Sequence, residues 1–529
     1  MNMFILVAVI VIFLALTTYL GYRGMRNTRT TSDYLVGGRS IHPYVMAMSY
    51  GATFISTSAI IGFGGIAALY GMSMLYLAAA NIVVGIFIAF VLYGKRTRRM
   101  GLNLDAHTFP EFLARRVDSR FIQFFGGGVI FLLMPIYAAA VLIGAARLME
   151  GLLHIPYVYS VTIFAVLVAA YVIMGGLKGV MYTDALQGSL MLGGMLLLLV
   201  VVYSKLGGIL TAHRTLTEMA ALVPPELAAQ GHQGWTAAPK LGSPIWWTVF
   251  SSLLFGVGVG VLAQPQLVVR YMTVKSDREL NRGVLIGGLF ILITVGTPYV
   301  AGPLANVFYF QSQGKLAVEM ALGNPDSVIP ILIRDIMPSW FGYVFLLVIL
   351  SAGMSTLSSQ FHTVGTAISR DFYQFGIHRG KKMPQEILVA RTGIVISILL
   401  TVLLGYNLNA GMIARATSIF FGLMAAGFLA PYTAALYWKR LTRRGAIAGI
   451  LSGFAVSGLG FLFLHEKEAA FFGLARALTG RPTLLGGSWG IVDPLVYALP
   501  VSIFFTILIS LLTKVENPGV VEKSFEGIK

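Results

Sequence analysis

Hydroxyl side chains and glycines interrupt an otherwise apolar stretch early in the chain. Residues 43–65 read PYVMAMSYGATFISTSAIIGFGG, which is apolar enough to cross a bilayer. The small and polar residues in its middle are Ser49, Gly51, Thr53, Ser56, Thr57 and Ser58. A straight helix in lipid satisfies its own backbone groups, whereas an interrupted helix frees carbonyl oxygens that can hold a cation. The stretch therefore indicates either an ion and substrate site or a small-residue face for close helix packing.

A second hydroxyl cluster lies far along the chain, in LVILSAGMSTLSSQFHTVGTA. Its members recur at helical spacing on one face and an adjoining edge: Ser351, Ser355, Thr356, Ser358 and Ser359. Such a face offers oxygen atoms to an ion. Sodium prefers hard oxygen ligands, and neutral hydroxyls and carbonyls bind it weakly enough to release it. Close helix packing is the alternative role for the same residues.

Asp184 stands out among the acidic residues because apolar sequence continues beyond it, in GGLKGVMYTDALQGSLML. A carboxylate inside a membrane is costly and tends to mark function. It could instead cap or hydrogen-bond a helix near one face of the membrane. A functional role for Asp184 requires a cation nearby. An interrupted helix, a serine face and one buried carboxylate together favour a cation-coupled membrane protein.

The composition decides the class of protein. With 57% hydrophobic residues, 11% charged residues and a mean hydropathy of +0.80, the 529-residue chain has too few polar side chains to cover a soluble globule. The first apolar run has no small-residue cleavage site after it, so we expect it to stay in the protein as a span. Cysteine is absent, which excludes disulfides and thiolate chemistry. We find no catalytic motif and predict that the protein is not an enzyme.

Apolar runs of about 20 residues, the length needed to cross a bilayer, predict an all-α polytopic membrane protein. We expect thirteen spans, near residues 3–22, 43–69, 72–94, 120–151, 156–175, 179–204, 244–272, 281–310, 338–374, 386–406, 410–438, 443–464 and 491–513. Runs longer than 25 residues suggest tilted or broken helices.

The distribution of the basic residues that give the formal net charge of +17 indicates the membrane topology. Most of the 38 Lys and Arg residues fall in alternate loops, at 23–42, 95–120, 176–179, 270–282, 370–391 and 439–444, and in the tail from 514. This positive-inside pattern predicts a cell-membrane protein whose N-terminus is outside and whose C-terminus is cytoplasmic. Basic runs such as KRTRR then face anionic lipid, so the expected partners are the bilayer and a small solute, with no nucleic acid. The sequence does not predict an oligomeric state.

Four motifs resemble signature stretches of the sodium:solute symporter family. They are SDYLVGGRS at 32–40, GGLKGVMYTDALQ at 175–187, AQPQLVVRYM at 263–272 and SAGMSTLSSQ at 351–360. The resemblance implies ten core helices in two inverted five-helix repeats, with the first and sixth core helices broken. We accordingly expect a leading helix and inner loop at 1–42, repeats at 43–204 and 244–438, an outer loop at 205–243, and two additional helices with a short tail at 439–529.

The resemblance also implies binding sites. The first sodium site would use carbonyls of Ala52, Ile55 and Ala352 with the hydroxyls of Ser355 and Thr356. A second sodium site, present in some relatives, would use Asp184, Ser355, Ser358 and Ser359. The solute would lie near the two helix breaks, at Thr53, Phe54, Ser56, Thr57, Val257, Val261 and Gln264. Sodium is then the coupling ion, and either one or two ions per cycle is compatible with these residues.

The identity of the solute is the least determined feature. Proline-type members carry an aspartate at the position of Phe54 and aromatic residues at those of Val257 and Val261, which argues against proline. Sugar-type members line the pocket with more Asn, Gln, Glu and Lys than this chain offers, which argues against a sugar or polyol. Arg415 could pair with a carboxylate or extend to the outer interface. We therefore expect uptake of a monocarboxylate or similar organic acid by alternating access, with an amino acid or a pantothenate-like solute as alternatives. A channel or a membrane sensor on the same core is less consistent with the sequence.

Overall fold

The protein is a bundle of helices in a computed structural model that describes residues 3–153, 155–377, 386–408 and 413–528. Within these ranges all regular structure is helical. The long helices are Met3–Arg26, Arg120–Leu153, Tyr157–Lys205, Asp277–Gln313, Phe341–Thr366, Glu386–Asn407, Ile413–Tyr437, Arg443–Phe463 and Leu495–Leu512. Short helices or π-helical turns complete the bundle: Pro43–Phe54, Ser58–Gly62, Phe63–Tyr70, Leu75–Ile82, Val83–Gly94, Lys95–Asn103, Thr248–Val259, Pro265–Tyr271 and Ala367–Ile377.

The chain is a polytopic membrane protein. In the described residues, eleven helical segments are long and apolar enough to cross a bilayer. The predicted run 43–69 is divided into short helices, and the runs 156–175 and 179–204 form one helix kinked at Gly176, where φ is 58°. The expected count of thirteen spans and the division into repeats therefore stay predictions. Part of the predicted inner loop 370–391 lies outside the described residues.

The first broken helix comprises Pro43–Phe54 and the segment that restarts at Ser58. Its first half begins where the His42 side chain accepts a hydrogen bond from the Tyr44 amide, with proline at the first helical position. It ends because Ile55 is extended, at φ −92° and ψ 98°. The last carbonyls of a helix have no intrahelical donor, so the break leaves acceptors within the bundle.

The second broken helix comprises Thr248–Val259, a tight turn at Gly260–Ala263, and Pro265–Tyr271. Gln264 between the halves is extended, with ψ 116°. Pro265 explains the break, because it lacks an amide hydrogen and restricts the residue before it to extended conformations. Both predicted interruptions are therefore present in the fold.

Two further helices surround the breaks. The serine helix, Phe341–Thr366, packs against the first broken helix and against Tyr157–Lys205, which carries Asp184. The last two long helices, Arg443–Phe463 and Leu495–Leu512, pack against each other and against Ile413–Tyr437. The short helix Pro518–Phe525 follows them and packs on Lys95–Asn103 and Phe109–Arg116. The sites of interest thus lie between helices that are distant in sequence.

Candidate functional site

The serine helix meets the first broken helix where the latter ends. Ser355 Oγ donates to the Ala52 carbonyl at 2.8 Å and also lies 3.4 Å from the Ala352 carbonyl. Thr356 Oγ1 lies 3.3 Å from the Ala52 carbonyl and 3.2 Å from that of Thr53. All five residues are buried. The structure therefore gathers five oxygen atoms from two helices at one point.

These oxygens are the right kind for a sodium ion. Ala52 and Thr53 belong to the last turn of Pro43–Phe54, so their carbonyls lack helical donors and accept from the facing hydroxyls instead. A hydroxyl can also turn its lone pairs toward a cation. Of the five predicted residues, Ala52, Ala352, Ser355 and Thr356 come together here. The fifth, Ile55, is the extended residue at the break itself.

Asp184 is fully buried and makes an ion pair with Arg270, at 3.0 Å between Oδ2 and Nη2. The same Nη2 donates to Thr53 Oγ1 at 2.6 Å and to Ser359 Oγ at 2.5 Å. Ser49 Oγ lies 2.7 Å from Asp184 Oδ2 and accepts from Arg270 Nε at 2.9 Å. A guanidinium thus occupies the middle of this group of oxygens.

The predicted members of the second sodium site lie around that ion pair. Ser358 Oγ is 3.5 Å from Asp184 Oδ1, and Ser359 Oγ is 3.4 Å from Oδ2. Ser358 also donates to the Ser355 carbonyl at 3.0 Å, which joins this group to the first site. The two predicted ion sites therefore form one connected polar network between three helices.

Placing Arg270 in an inner loop was wrong. The structure buries it in Pro265–Tyr271, the second half of the second broken helix, with a side chain only 1% exposed. The helix that starts at Pro265 carries Arg270 into the core. A signal was available, because a lone intramembrane carboxylate needs a cation and Arg270 belongs to one of the four family-like motifs.

Aromatic side chains line one side of the helix breaks. Phe54 stacks on Phe421 with ring centroids 6.3 Å apart, and Phe421 meets Tyr137 edge to face at 5.2 Å. Val257 and Val261 are buried on the second broken helix, and Val261 approaches Phe54 across Gly85. The predicted residues Phe54 and Val261 thus belong to one apolar wall.

Polar groups lie at the ends of both breaks. Gln264 Nε2 donates to the Gly260 carbonyl at 2.9 Å, while its Oε1 is buried without a partner among the described residues. Ser56 Oγ accepts from the Ser58 amide at 3.2 Å, and Ser58 Oγ is also buried without a described partner. Thr57 Oγ1 donates to the Val141 carbonyl at 2.6 Å, which fixes the start of the second half.

Arg415 lies apart from the breaks, at the start of Ile413–Tyr437. It makes an ion pair with Glu468, which also binds His465. Among the described residues it makes no hydrogen bond to the predicted solute-binding side chains. The structure therefore already gives Arg415 a carboxylate partner from the chain itself.

A family model and curated proteins match most of this chain. A model of the sodium:solute symporter family matches residues 34–453. The sodium/proline symporters of Staphylococcus aureus strains JH9 and JH1 are each 27% identical over 456 residues, which cover 85% of this chain and 84% of theirs. The match thus extends over both helix breaks and the serine helix.

Two solved structures share the fold. One is a sodium-coupled sialic acid symporter in a substrate-bound, outward-open state, with a TM-score of 0.73 at 20% identity, covering 97% of this chain and 98% of that one. The other is a transporter of the nucleobase-cation-symport-1 family, with a TM-score of 0.52 at 12% identity, covering 94% and 99%. At these identities the likeness describes the fold alone.

Proposed function

The chain belongs to the sodium:solute symporter family, and from this premise we propose that it takes up a small carboxylate-bearing solute together with sodium. As a family member it is a sodium-coupled solute symporter and not an enzyme. A monocarboxylate or similar organic acid is the solute we favour. We further propose that it acts in the cell membrane with its N-terminus outside and its C-terminus in the cytoplasm, as the distribution of basic residues suggests.

One observation carries the proposal: the hydroxyls of Ser355 and Thr356 meet the freed carbonyls of Ala52 and Thr53. A sodium ion between these oxygens would join the first broken helix to the serine helix. Sodium binding would stabilise the conformation that binds solute, and sodium dissociation would remove that stabilisation. Each positive charge that moves inward across 100 mV supplies about 2.3 kcal/mol, which can drive solute accumulation.

We propose one sodium ion per cycle. Arg270 already neutralises Asp184 and uses the hydroxyls of Thr53 and Ser359, so a second cation there would face a buried guanidinium. Sodium activation of uptake should then have a Hill coefficient of about 1. A coefficient of about 2 would favour a second site at Asp184, Ser358 and Ser359.

The favoured solute follows from the start of the second half of the first broken helix. The beginning of a helix lies at the positive end of its dipole, which favours a carboxylate nearby. Ser58 Oγ, buried there without a described partner, could donate to the same group. The wall of Phe54, Val261 and Phe421 would accommodate a short apolar chain.

An amino acid is the second candidate, and a different atom favours it. Gln264 Oε1 is a buried acceptor without a described partner, and an ammonium group of the solute could donate to it. The Staphylococcus aureus relatives are named as sodium/proline symporters, which agrees with an amino group in the solute. Gln264→Leu should reduce amino acid uptake strongly and leave monocarboxylate uptake nearly unchanged.

Uptake into proteoliposomes tests the proposal. Radiolabelled propionate and proline, representing the two solute classes, would be offered with an inward sodium gradient and, separately, with potassium in place of sodium. We expect that one of the two solutes accumulates, and that it does so only when the sodium gradient is present. Solute entry that is equal in potassium would contradict sodium coupling.

The sodium site is tested by removing its hydroxyls. Ser355→Ala combined with Thr356→Ala should raise the sodium concentration for half-maximal uptake at least about tenfold, because two ligands are lost. Ser397→Ala is the matched control, since this buried hydroxyl lies on Glu386–Asn407 and has no described partner. An equal effect of both changes would mean that the loss is merely structural.

A further inference from the structure

An apolar groove of about 510 Å³ lies on the outside of the helix bundle, away from both helix breaks. Its walls come from Val83–Gly94, Ile413–Tyr437 and Leu495–Leu512. The lining residues are Tyr93, Leu429, Ala430, Thr433, Ala434, Tyr437, Trp438, Leu499, Ile503, Thr506 and Ile507. Ile503 and Ile507 are 42% and 44% exposed, so the groove opens toward the hydrocarbon of the membrane.

The hydroxyl groups in the groove already have partners within the protein. Tyr93 Oη and Thr433 Oγ1 are 2.7 Å apart, and Tyr437 Oη donates to the Leu92 carbonyl at 2.9 Å. Thr506 Oγ1 donates to the Ser502 carbonyl at 2.7 Å. An occupant therefore needs no hydrogen-bonding groups along the groove, as is true of a hydrocarbon chain.

Three basic residues lie next to lining residues at one end of the groove. The Arg96 guanidinium stacks over the Tyr437 ring, 4.3 Å from its centroid, and donates to the Leu436 carbonyl. Lys439 and Arg440 directly follow Trp438, and Arg440 Nη2 donates to the Leu511 carbonyl at 3.1 Å. Lys439 Nζ lies over the Phe525 ring, 5.5 Å from its centroid, and within the described ranges neither Lys439 nor Arg440 forms an ion pair.

We infer that this groove binds an anionic glycerophospholipid, with an acyl chain between the three helices and the phosphate at Arg96, Lys439 and Arg440. The occupant is identified by two matching features, an apolar body and a cationic end. Trp438, Tyr93 and Tyr437 lie near that end, and aromatic residues of this kind favour the level of the lipid headgroups. Basic pockets between helices on the cytoplasmic side commonly bind anionic headgroups.

The bound lipid would link the last helix to the core. One wall of the groove belongs to Leu495–Leu512 and the opposite wall to Val83–Gly94, and the occupied groove would fill the space between them. Filling an apolar space restores dispersion contacts that an open groove lacks. Binding should therefore raise the thermal stability of the detergent-solubilised protein.

Native mass spectrometry of the full chain in detergent tests the inference. Dioleoyl phosphatidylglycerol and dioleoyl phosphatidylcholine would be added at equal concentrations, and the lipid retained would be counted. We expect preferential retention of phosphatidylglycerol, which weakens as salt is raised because screening reduces charge attraction. Equal retention of both lipids, or retention indifferent to salt, would overturn the proposed headgroup site.

Two variants locate the site. Lys439→Gln with Arg440→Gln should reduce retention of phosphatidylglycerol roughly tenfold or more, because two cations near the headgroup are lost. Ala434→Trp should reduce retention by filling the groove, with the basic end left intact. If both variants retain as much lipid as the unchanged protein, phosphatidylglycerol binds elsewhere and the inference is wrong.

The control removes two positive charges from another basic segment. Arg26 and Arg29 are exposed near the end of Met3–Arg26, which does not line the groove. Arg26→Gln with Arg29→Gln should leave lipid retention and the lipid-dependent rise in melting temperature unchanged. A loss of retention in this control equal to that in Lys439→Gln with Arg440→Gln would mean that only net charge matters.

Discussion

At the residue scale, the ion pair of Asp184 and Arg270 should have a measurable effect on the free energy of unfolding. Both side chains are buried, and the hydroxyls of Ser49, Thr53 and Ser359 complete their hydrogen bonding. Removing two charges from water costs several kcal/mol per ion, and only close pairing with full hydrogen bonding offsets that cost. The pair therefore stabilises the fold only while both members are present.

Arg270→Gln should lower the free energy of unfolding by about 3–5 kcal/mol, because it leaves the Asp184 carboxylate buried and unpaired. Thermal denaturation in detergent measures the effect. Asp184→Asn should also destabilise the protein, and the double variant should lose less than the sum of the two single changes. Additive losses would mean that the two side chains do not interact energetically.

At the element scale, the first broken helix depends on glycines beyond its break. A β-carbon at Gly65 would overlap the Pro325 carbonyl oxygen, so this helix and the segment around residue 325 approach too closely for any side chain. Gly65→Ala should destabilise the protein by about 1–3 kcal/mol, since the backbone must shift. The melting temperature of the purified protein is the measurement.

Gly296→Ala is the matched control for that change. It lies in Asp277–Gln313, and a β-carbon there meets no atom within 4 Å. Because alanine favours a helix over glycine by about 1 kcal/mol, this variant should be neutral or slightly stabilised. A similar loss in both variants would mean that the Pro325 contact is unimportant.

The local sequence predicts the breaks, whereas the pairing across the bundle is only partly predictable. Hydroxyls and glycines around Ile55, and Pro265 after Gln264, are sufficient to indicate interrupted helices. The resemblance to a family predicts that Ala52 and Ser355 belong to one site, and in the structure Ser355 Oγ donates to the Ala52 carbonyl. Arg270 was missed because its distance from Asp184 depends on how two helices pack, and a sequence pattern within either helix does not contain that information.

At the scale of the whole molecule, polar contacts join the region of the last two long helices to the rest of the bundle. These contacts lie at the end of the two helices opposite Lys439. The Asp493 amide donates to Ser251 Oγ at 3.1 Å, a contact between residues 242 apart in sequence. Glu468, in the connection between the last two long helices, pairs with Arg415 of Ile413–Tyr437. This connection contains the short helices Glu466–Phe472 and Leu474–Thr479, and Glu468 lies on the first of them.

The titration of Asp493 should be visible in the stability of the whole protein. Burial raises the pKa of Asp493 from its usual 3.8 to about 7, although the Leu495 amide and His465 lower it and Glu468 raises it. Burial also raises the pKa of Glu468, but His465 and Arg415 outweigh that effect and hold it below its usual value. Between pH 3.8 and about pH 7, Asp493 is therefore mostly protonated in the folded protein and mostly ionised in the unfolded chain.

A group whose pKa is raised by folding contributes stability that is complete below the unfolded pKa and is lost as pH rises through the folded pKa. The melting temperature of the unchanged protein should thus fall relative to that of Asp493→Asn between about pH 4 and pH 7, and the difference should level off above pH 8. Glu226→Gln, at an exposed side chain, is the control and should not alter this pH dependence. If the curves of the unchanged protein and Asp493→Asn run parallel from pH 4 to 8, folding does not raise the pKa of Asp493.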